Sequence, residues 1–447
     1  MARINTKLVV LKDFYKILPV ILLATAIALS PSFSLGTLEG QRPFNIRAED
    51  IVLFFLLLSW AFSSLMSGKN KFEKPPFLFA ILAWLLIGFF GLLTNWIFGN
   101  TPLLRGFFFF LKEMEFFLIY FYVFSRLYKK ESVNLITDLW IFLGFVHAAW
   151  IAFELVTGYR ITYYYGPTTF IHPQGVLPGA GFLLMIFIFL FNILLYYYKD
   201  STQPVFKRFF LFATVIGLMI GIISSGSRNV FFASIFAIFL TFLLYILKEK
   251  DVKSLLRGLF MGVVIIFLIS CALFYILHNV PTLQRLLNKD TMINEFIDTN
   301  PNDKNNITRI EVWHGQMNEA LKHPLFLIFG FGKAVFLFCA DSDSQYLRNF
   351  IEVGVVGSLI FFYLIFLIIK KSFYGLMYNE NSFIAAYSAG LIVATFTMLL
   401  MSISSEVFTS VKIVEVYWFF AAMTMAVLTL ESKFHNKNET FNNHSLL

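Results

Sequence analysis

Residues 353–371 read VGVVGSLIFFYLIFLIIKK. No charge interrupts the stretch from Val353 to Ile369, and Lys370 and Lys371 close it. A helix needs about 20 predominantly apolar residues to cross the hydrocarbon core of a bilayer. With its flanks, 347–370, this segment meets that requirement. Almost every position is apolar, so no helical face is left for water, which is the mark of a buried or lipid-embedded helix. The terminal lysine pair assigns that end to the cytoplasmic side, because short cytoplasmic loops carry an excess of Lys and Arg.

The pattern recurs outward in both directions. Twelve spans are expected near 17–35, 49–66, 76–96, 106–127, 134–156, 176–198, 207–224, 229–247, 257–278, 347–370, 383–403 and 412–430. The composition agrees. The 447 residues are 58% hydrophobic and only 14% charged, with mean hydropathy +0.74, whereas soluble domains carry about 25% charged residues. Such a chain cannot cover a water-facing surface. Its 58 phenylalanines suit helix–helix and helix–lipid contacts. The expected fold is therefore an all-α polytopic membrane protein.

The net charge of +8 does not point to nucleic acid, because most of the lysines lie in breaks between apolar runs. Lys69, Lys71 and Lys74; Lys129 and Lys130; Lys199, Lys207 and Arg208; Lys248, Lys250 and Lys253; and Lys370 and Lys371 mark one face as cytoplasmic. Both termini then fall on that face, which requires an even number of spans. Arg3, Lys7, Lys12 and Lys16 ahead of the first apolar run resemble a signal anchor, and that run is read as the first span. The alternate breaks carry Arg42, Arg47, Arg105, Arg160 and Arg228, with Lys412 the only lysine near them. Either chance or the planar, phosphate-matching fork of Arg accounts for this bias. Cys271 and Cys339 lie in unlike settings and make no disulfide framework or metal motif.

The chain divides into spans one to nine with short loops (1–278), a large outer loop (279–346), spans ten to twelve (347–430) and a cytoplasmic tail (431–447). The loop is too long for a bare connector. Thr308-Arg309-Ile310-Glu311 reads as a capping box. Ile310, Trp313, Met317 and Leu321 follow as an apolar stripe at helical spacing. His323-Pro324 should end that helix, and Gly330-Phe331-Gly332 should turn.

Several residues invite a chemical reading beside a structural one. Arg228 and Arg309 each open a helix, where free N–H groups and a guanidinium together hold an anion; each is also a plausible solvated or snorkelling surface residue. Glu311 is a cap before it is a catalyst. His323 suits packing or capping, and His147 a satisfied position inside the bundle. Lys112 and Glu115 are ionisable at membrane depth, a functional hypothesis by default, although they can simply pair. Asp341 and Asp343 form an Asp-x-Asp that can hold a divalent cation, supply a general base or cap the tenth span.

Four stretches then stand in a telling order: Asn45-Ile46-Arg47-Ala48-Glu49-Asp50; Ser225-Gly226-Ser227-Arg228; Arg309 to Trp313 followed by His323-Pro324-Leu325 and Gly330-Phe331-Gly332; and Asp343-Ser344-Gln345-Tyr346-Leu347 with Glu352-Val353-Gly354-Val355-Val356-Gly357. In this order they resemble the O-antigen ligase and Wzy-type polymerase superfamily, which handles lipid-linked glycans. Ligases of that superfamily have His-Asn beginning three residues before the Tyr. Asp343-Ser344 stand there instead, as in many polymerases.

The resemblance implies a membrane glycosyltransferase of the GT-C type working without a nucleotide sugar, a metal or another cofactor. The donor would be a glycan repeat on polyprenyl (undecaprenyl) diphosphate at the outer leaflet of the bacterial inner membrane. The acceptor would be a second lipid-linked repeat, joined with inversion in lipopolysaccharide or other polysaccharide synthesis. Arg47, Arg228 and Arg309 would hold the diphosphate, and Asp343 would take the acceptor's proton. Arg105, Asp341, Tyr346 and Glu311 would touch substrate. A chain-length regulator protein is a further expected partner. Two other readings stay open: a ligase moving glycan to lipid A core or another acceptor, and a transporter of lipid-linked oligosaccharide. A purely structural membrane subunit is the least supported by the outer charges.

Overall fold

Helices cover eleven of the twelve expected spans in the computed structural model. It describes residues 2–29, 32–38, 42–67, 74–97, 103–127, 129–157, 179–197, 204–225, 227–249, 256, 309–333 and 344–444. In chain order the helices are α1 (Ala2–Leu29), α2 (Ala48–Ser67), α3 (Leu78–Ile97), α4 (Leu103–Arg126), α5 (Lys130–Thr157), α6 (Ala180–Asn192), α7 (Val205–Ser224) and α8 (Arg228–Lys248). After the undescribed stretch come α9 (Arg309–Leu321), α10 (Pro324–Phe329), α11 (Gln345–Tyr378), α12 (Ser382–Met401) and α13 (Val411–His444). A π-helical turn, Ile193–Tyr197, closes α6. The span expected near 257–278 and both cysteines lie outside the described residues.

Six helices, α5, α7, α8, α11, α12 and α13, are long and apolar enough to cross a membrane. The molecule is a multi-pass helical membrane protein. It is not purely helical, however. The first span, expected to run to residue 35, stops as a helix at Leu29. Ser32–Leu38 then pairs antiparallel with Arg42–Arg47, with Ser32 opposite Arg47. The cause is local: Ser30-Pro31 disfavours continued helix, and Ser32-Phe33-Ser34-Leu35 alternates with the period of a strand. The hairpin, β1 and β2, delivers Arg47 directly to the start of α2.

The three interior helices follow from their composition. Every residue of α6 is buried. The apolar windows of α12 and α13 are 83% and 78% buried, against 44% for α5, α7 and α8. Helices apolar all round take the middle, and the others give one face to neighbours and one to lipid. Phenylalanine serves both places. Phe182, Phe187, Phe189 and Phe191 are buried in α6, and Phe189 stacks on Phe420 at 4.0 Å. Phe54, Phe62, Phe79 and Phe366 point outward. His147 is buried, with Nε2 3.1 Å from the Ala28 carbonyl and its ring edge-on to Phe182. It sits inside the bundle as expected, but it is only half satisfied, because Nδ1 is buried with no hydrogen-bond partner among the described residues.

One reading of the loop needs correction, and another, that His323-Pro324 ends the helix, is extended. On α9 the expected stripe is offset: Met317 and Leu321 are exposed, whereas Val312, Gln316 and Ala320, spaced by four, are buried. The buried face is chosen by small size at Ala320, which packs with Phe331 and Ile351. Pro324 does more than stop a helix. It stands at the first position of α10, where its missing N–H costs nothing.

Candidate functional site

The site begins with a break in a helix. Within α11, Gly354 has φ 66° and ψ −168°, far from helical values. The carbonyls of Ile351 and Glu352 therefore lose their partners one turn on. The loop after α10 supplies replacements: Phe331 N–H donates to the Ile351 carbonyl at 2.7 Å and Gly332 N–H to that of Glu352 at 3.0 Å. This backbone pairing requires close approach. A Cβ on Gly330 would meet the Glu352 carbonyl, and one on Gly354 the Ile328 carbonyl. Both glycines also hold positive φ, 84° and 66°, which other residues rarely adopt. Phe326 stacks on Phe331 at 4.7 Å and seals the corner. His323 caps nothing with its side chain; its ring packs edge-on against both phenylalanines.

The docked loop places Lys333 inside the protein. Its ammonium lies 3.1 Å from both Glu113 on α4 and Glu352 on α11, and over the Trp84 ring of α3 at 5.1 Å. Trp84 Nε1 donates to Glu113 at 2.7 Å. Burial pushes the Lys333 ammonium down, but the Glu113 and Glu352 carboxylates outweigh it and hold the group above its ordinary value. Glu352 also accepts from Arg348 Nε at 3.0 Å, and Arg348 Nη1 pairs with Glu406. One chain of ion pairs thus joins α4, the loop, α11 and the segment between α12 and α13, and Trp84 ties α3 to it.

A second cluster stands beside the first. Arg47 N–H donates to Asp50 at 3.0 Å, the return bond of a capping box at the start of α2. Asp50 and Glu115 both hold Lys112 of α4, at 2.6 and 2.9 Å. Lys112 and Glu115 do pair, and Asp50 joins them. Lys412 is paired with Glu49 and stands 3.5 Å from Glu415. Glu49, Asp50 and Glu415 bring three carboxylates close together, with Lys412 paired to Glu49 and Lys112 to Asp50.

Both clusters open on one cavity of about 330 Å3. Four cations line it, Arg47, Lys112, Lys333 and Arg348, against three carboxylates, Glu113, Glu352 and Glu406. Phe108, Phe109, Phe116 and Phe408 form its apolar wall. Among the described residues, Arg47 Nη1 is buried with no hydrogen-bond partner. Buried donors are nearly always satisfied, so this wall has an unused place for an acceptor. The arrangement can hold an anion attached to an apolar chain.

Of the residues expected from sequence, Arg47 reaches this cavity. Arg228 is the first residue of α8, and the side chain of the next, Asn229, donates to Ser405 Oγ at 2.7 Å. The α8 N-terminus thus abuts the segment that carries Glu406. Arg309 opens α9 and Arg105 lies in the first turn of α4; their side chains and that of Arg228 lie outside the described residues, as do Asp341 and Asp343. Glu311 is exposed on α9. Tyr346 turns away from the cavity: its hydroxyl donates to the Leu399 carbonyl at 2.6 Å and its ring stacks on Phe362. Lys333, Arg348, Glu113, Glu352 and Glu406 were not singled out from the sequence. Glu113, Arg348 and Glu352 carried the same signal as Lys112, a charge within an expected span.

Residues 210–362 match the family model described as O-Antigen ligase. The match runs from α7 to the middle of α11 and so includes Arg228, Arg309, Lys333, Arg348, Glu352 and the break at Gly354. No curated protein matches the chain. The family is one of ligase-like and glycosyltransferase-like membrane enzymes, and three of the four ordered stretches, all but Asn45 to Asp50, fall within the matched segment. Through residues 210–362 the chain is similar to the O-antigen ligase family.

Proposed function

We propose that this protein is a polysaccharide polymerase of the O-antigen type. It joins glycan repeats carried on polyprenyl diphosphate, at the outer leaflet of a bacterial inner membrane. The observation that carries the reading is the cavity in which Arg47, Lys112, Lys333 and Arg348 meet a wall of phenylalanine rings. A lipid diphosphate has the matching halves, an anion and an apolar tail. The acceptor's sugar hydroxyl attacks the anomeric carbon of the donor, the glycosidic bond forms with inversion, and the bond to the diphosphate oxygen breaks. Negative charge grows on that leaving oxygen, so fixed cations stabilise the transition state more than the ground state. Arg228 and Arg309 are placed with this group, and Asp343 is the acceptor's base, by the motifs they occupy. Asp343-Ser344 in place of His-Asn favours the polymerase over the ligase. In this reading the chain has twelve spans in a GT-C-type arrangement, both termini cytoplasmic, and residues 279–346 are a periplasmic loop.

The test is a product gel after the purified protein receives its lipid-linked repeat alone, in detergent without added metal. A ladder of lengthening chains supports polymerisation. No ladder, with transfer appearing once lipid A core is supplied, makes the protein a ligase. No transfer to any acceptor, with authentic substrate, turns the reading to transport.

A further inference from the structure

We propose that the Glu406 carboxylate occupies the place of a donor phosphate on Arg348, and that the donor binds by displacing it. The proposal rests on the lipid-diphosphate reading and adds a residue pair to it.

Arg348 lies near the start of α11 with its side chain 12% exposed, between two carboxylates. The two are held differently. Glu352 is one turn along the same helix, 4% exposed, and is also fixed by Lys333. Glu406 belongs to the non-helical segment between α12 and α13, is 17% exposed, and faces the cavity. A carboxylate and a phosphate present the same paired acceptor oxygens to a guanidinium. A diphosphate entering this cavity can engage Arg348 fully only where Glu406 now sits. A second observation points to anion binding at the same wall: among the described residues, the buried Arg47 Nη1 has no acceptor.

The exchange has a consequence for turnover. A site that is open only part of the time binds with an affinity lowered by that fraction. Glu406 therefore weakens donor binding while keeping Arg348 oriented and its charge balanced when the cavity is empty. After transfer, the returning carboxylate competes with the product diphosphate for Arg348 and helps to release it. The segment that moves also receives the Asn229 side chain beside Arg228, so donor binding is felt at the α8 N-terminus.

The test is binding of farnesyl diphosphate to the purified full-length protein in detergent, by calorimetry, for wild type, Glu406→Gln, Arg348→Gln and the double variant. Glu406→Gln should tighten binding about 5- to 10-fold, as removal of a competing state does. Arg348→Gln should weaken it about tenfold or more, as loss of a charge-assisted pair does. In the double variant the gain should vanish, because the proposed exchange runs through Arg348. Glu113→Gln removes an equal charge from the same wall and separates simple charge repulsion from placeholding. An unchanged or weakened Glu406→Gln overturns the proposal, as does a gain that survives without Arg348 or is matched by Glu113→Gln. If wild type itself fails to bind the probe, the lipid-diphosphate reading falls with it; if wild type binds and only the gain is missing, that reading stands. Should Glu406→Gln not give monodisperse protein, Glu406→Asp, which withdraws the carboxylate by one methylene, reads the same exchange in the same direction.

Discussion

Lys333 and Glu352 meet at 3.1 Å with side chains only 5% and 4% exposed. The lysine follows the Gly330-Phe331-Gly332 turn and the glutamate precedes the helix break at Gly354. The two motifs form one joint, in which backbone hydrogen bonds set the approach and the ion pair fills the interior behind it.

Lys333→Met should weaken that joint strongly. It strands Glu113 and Glu352 without their shared cation, and breaking a buried pair costs about 3–5 kcal/mol. The melting temperature in detergent, followed by tryptophan fluorescence, should fall clearly. Lys322→Met, which removes the exposed partner of Glu319, should scarcely change it. Adding Glu352→Gln to Lys333→Met should recover part of the loss. Equal effects of the two lysine variants would show that the joint does not hold the loop.

The same pair sets a pH window. The folded-state pKa of Lys333 is raised, so its contribution is complete below the unfolded value of about 10.4 and is lost as pH rises through the folded value. The melting-temperature gap between wild type and Lys333→Met should hold constant from about pH 7 to about pH 9 and narrow above about pH 10.5. A gap that shrinks already near neutrality would mean that the ammonium is not held by its carboxylates.

Gly330→Ala and Gly354→Ala should each lower the yield of folded protein. Left-handed backbone alone costs about 1–3 kcal/mol for a residue with a side chain. Here the added Cβ also meets a carbonyl of the facing segment. Gly179 is the fitting control. Its φ is 93°, yet a Cβ there would meet nothing within 4 Å. Gly179→Ala should therefore show strain without collision, and a smaller loss on size-exclusion chromatography. Equal losses at all three positions would remove the close backbone approach from the account.

The helices were legible because lipid imposes one rule on every span. Long uncharged runs such as 353–369 leave no alternative to helix. The hairpin at Ser32–Leu38 was hidden because an apolar alternating stretch directly prolonged the apolar run of α1, and hydropathy does not distinguish the two. The site was half legible. Arg47 stood out as an arginine on the face poor in lysine, and Lys112 and Glu115 as charges at depth. Arg348, Glu352 and Glu113 gave the same signal. Their meaning depended on partners far away in sequence: Glu113 and Lys333 are 220 residues apart, and periodicity cannot foresee such a pairing. Lys333 looked like an ordinary loop lysine because its burial comes from the helix break, which the glycines permit but do not announce. The offset stripe on α9 has a similar origin. Ala320 is favoured at the interface by its small size, while hydropathy favoured the larger Met317 and Leu321.

Arg47→Ala separates function from stability in the opposite sense to Lys333→Met. Among the described residues its guanidinium Nη1 has no hydrogen-bond partner to lose, and the capping bond to Asp50 comes from its backbone. Melting temperature should therefore change little. Glycosyl transfer should fall about 10²–10³-fold, the usual cost of removing one fixed donor from a developing anion. Arg47→Lys should recover only part of this, since an ammonium lacks the planar fork. Arg228→Ala and Arg309→Ala should give the same signature, inserted and stable but inactive, if their side chains join Arg47 on the diphosphate. Transfer rates and melting temperatures measured side by side decide it. Full activity in Arg47→Ala would leave the unsatisfied guanidinium without a role in transfer. Parallel losses of activity and stability would make it part of the scaffold.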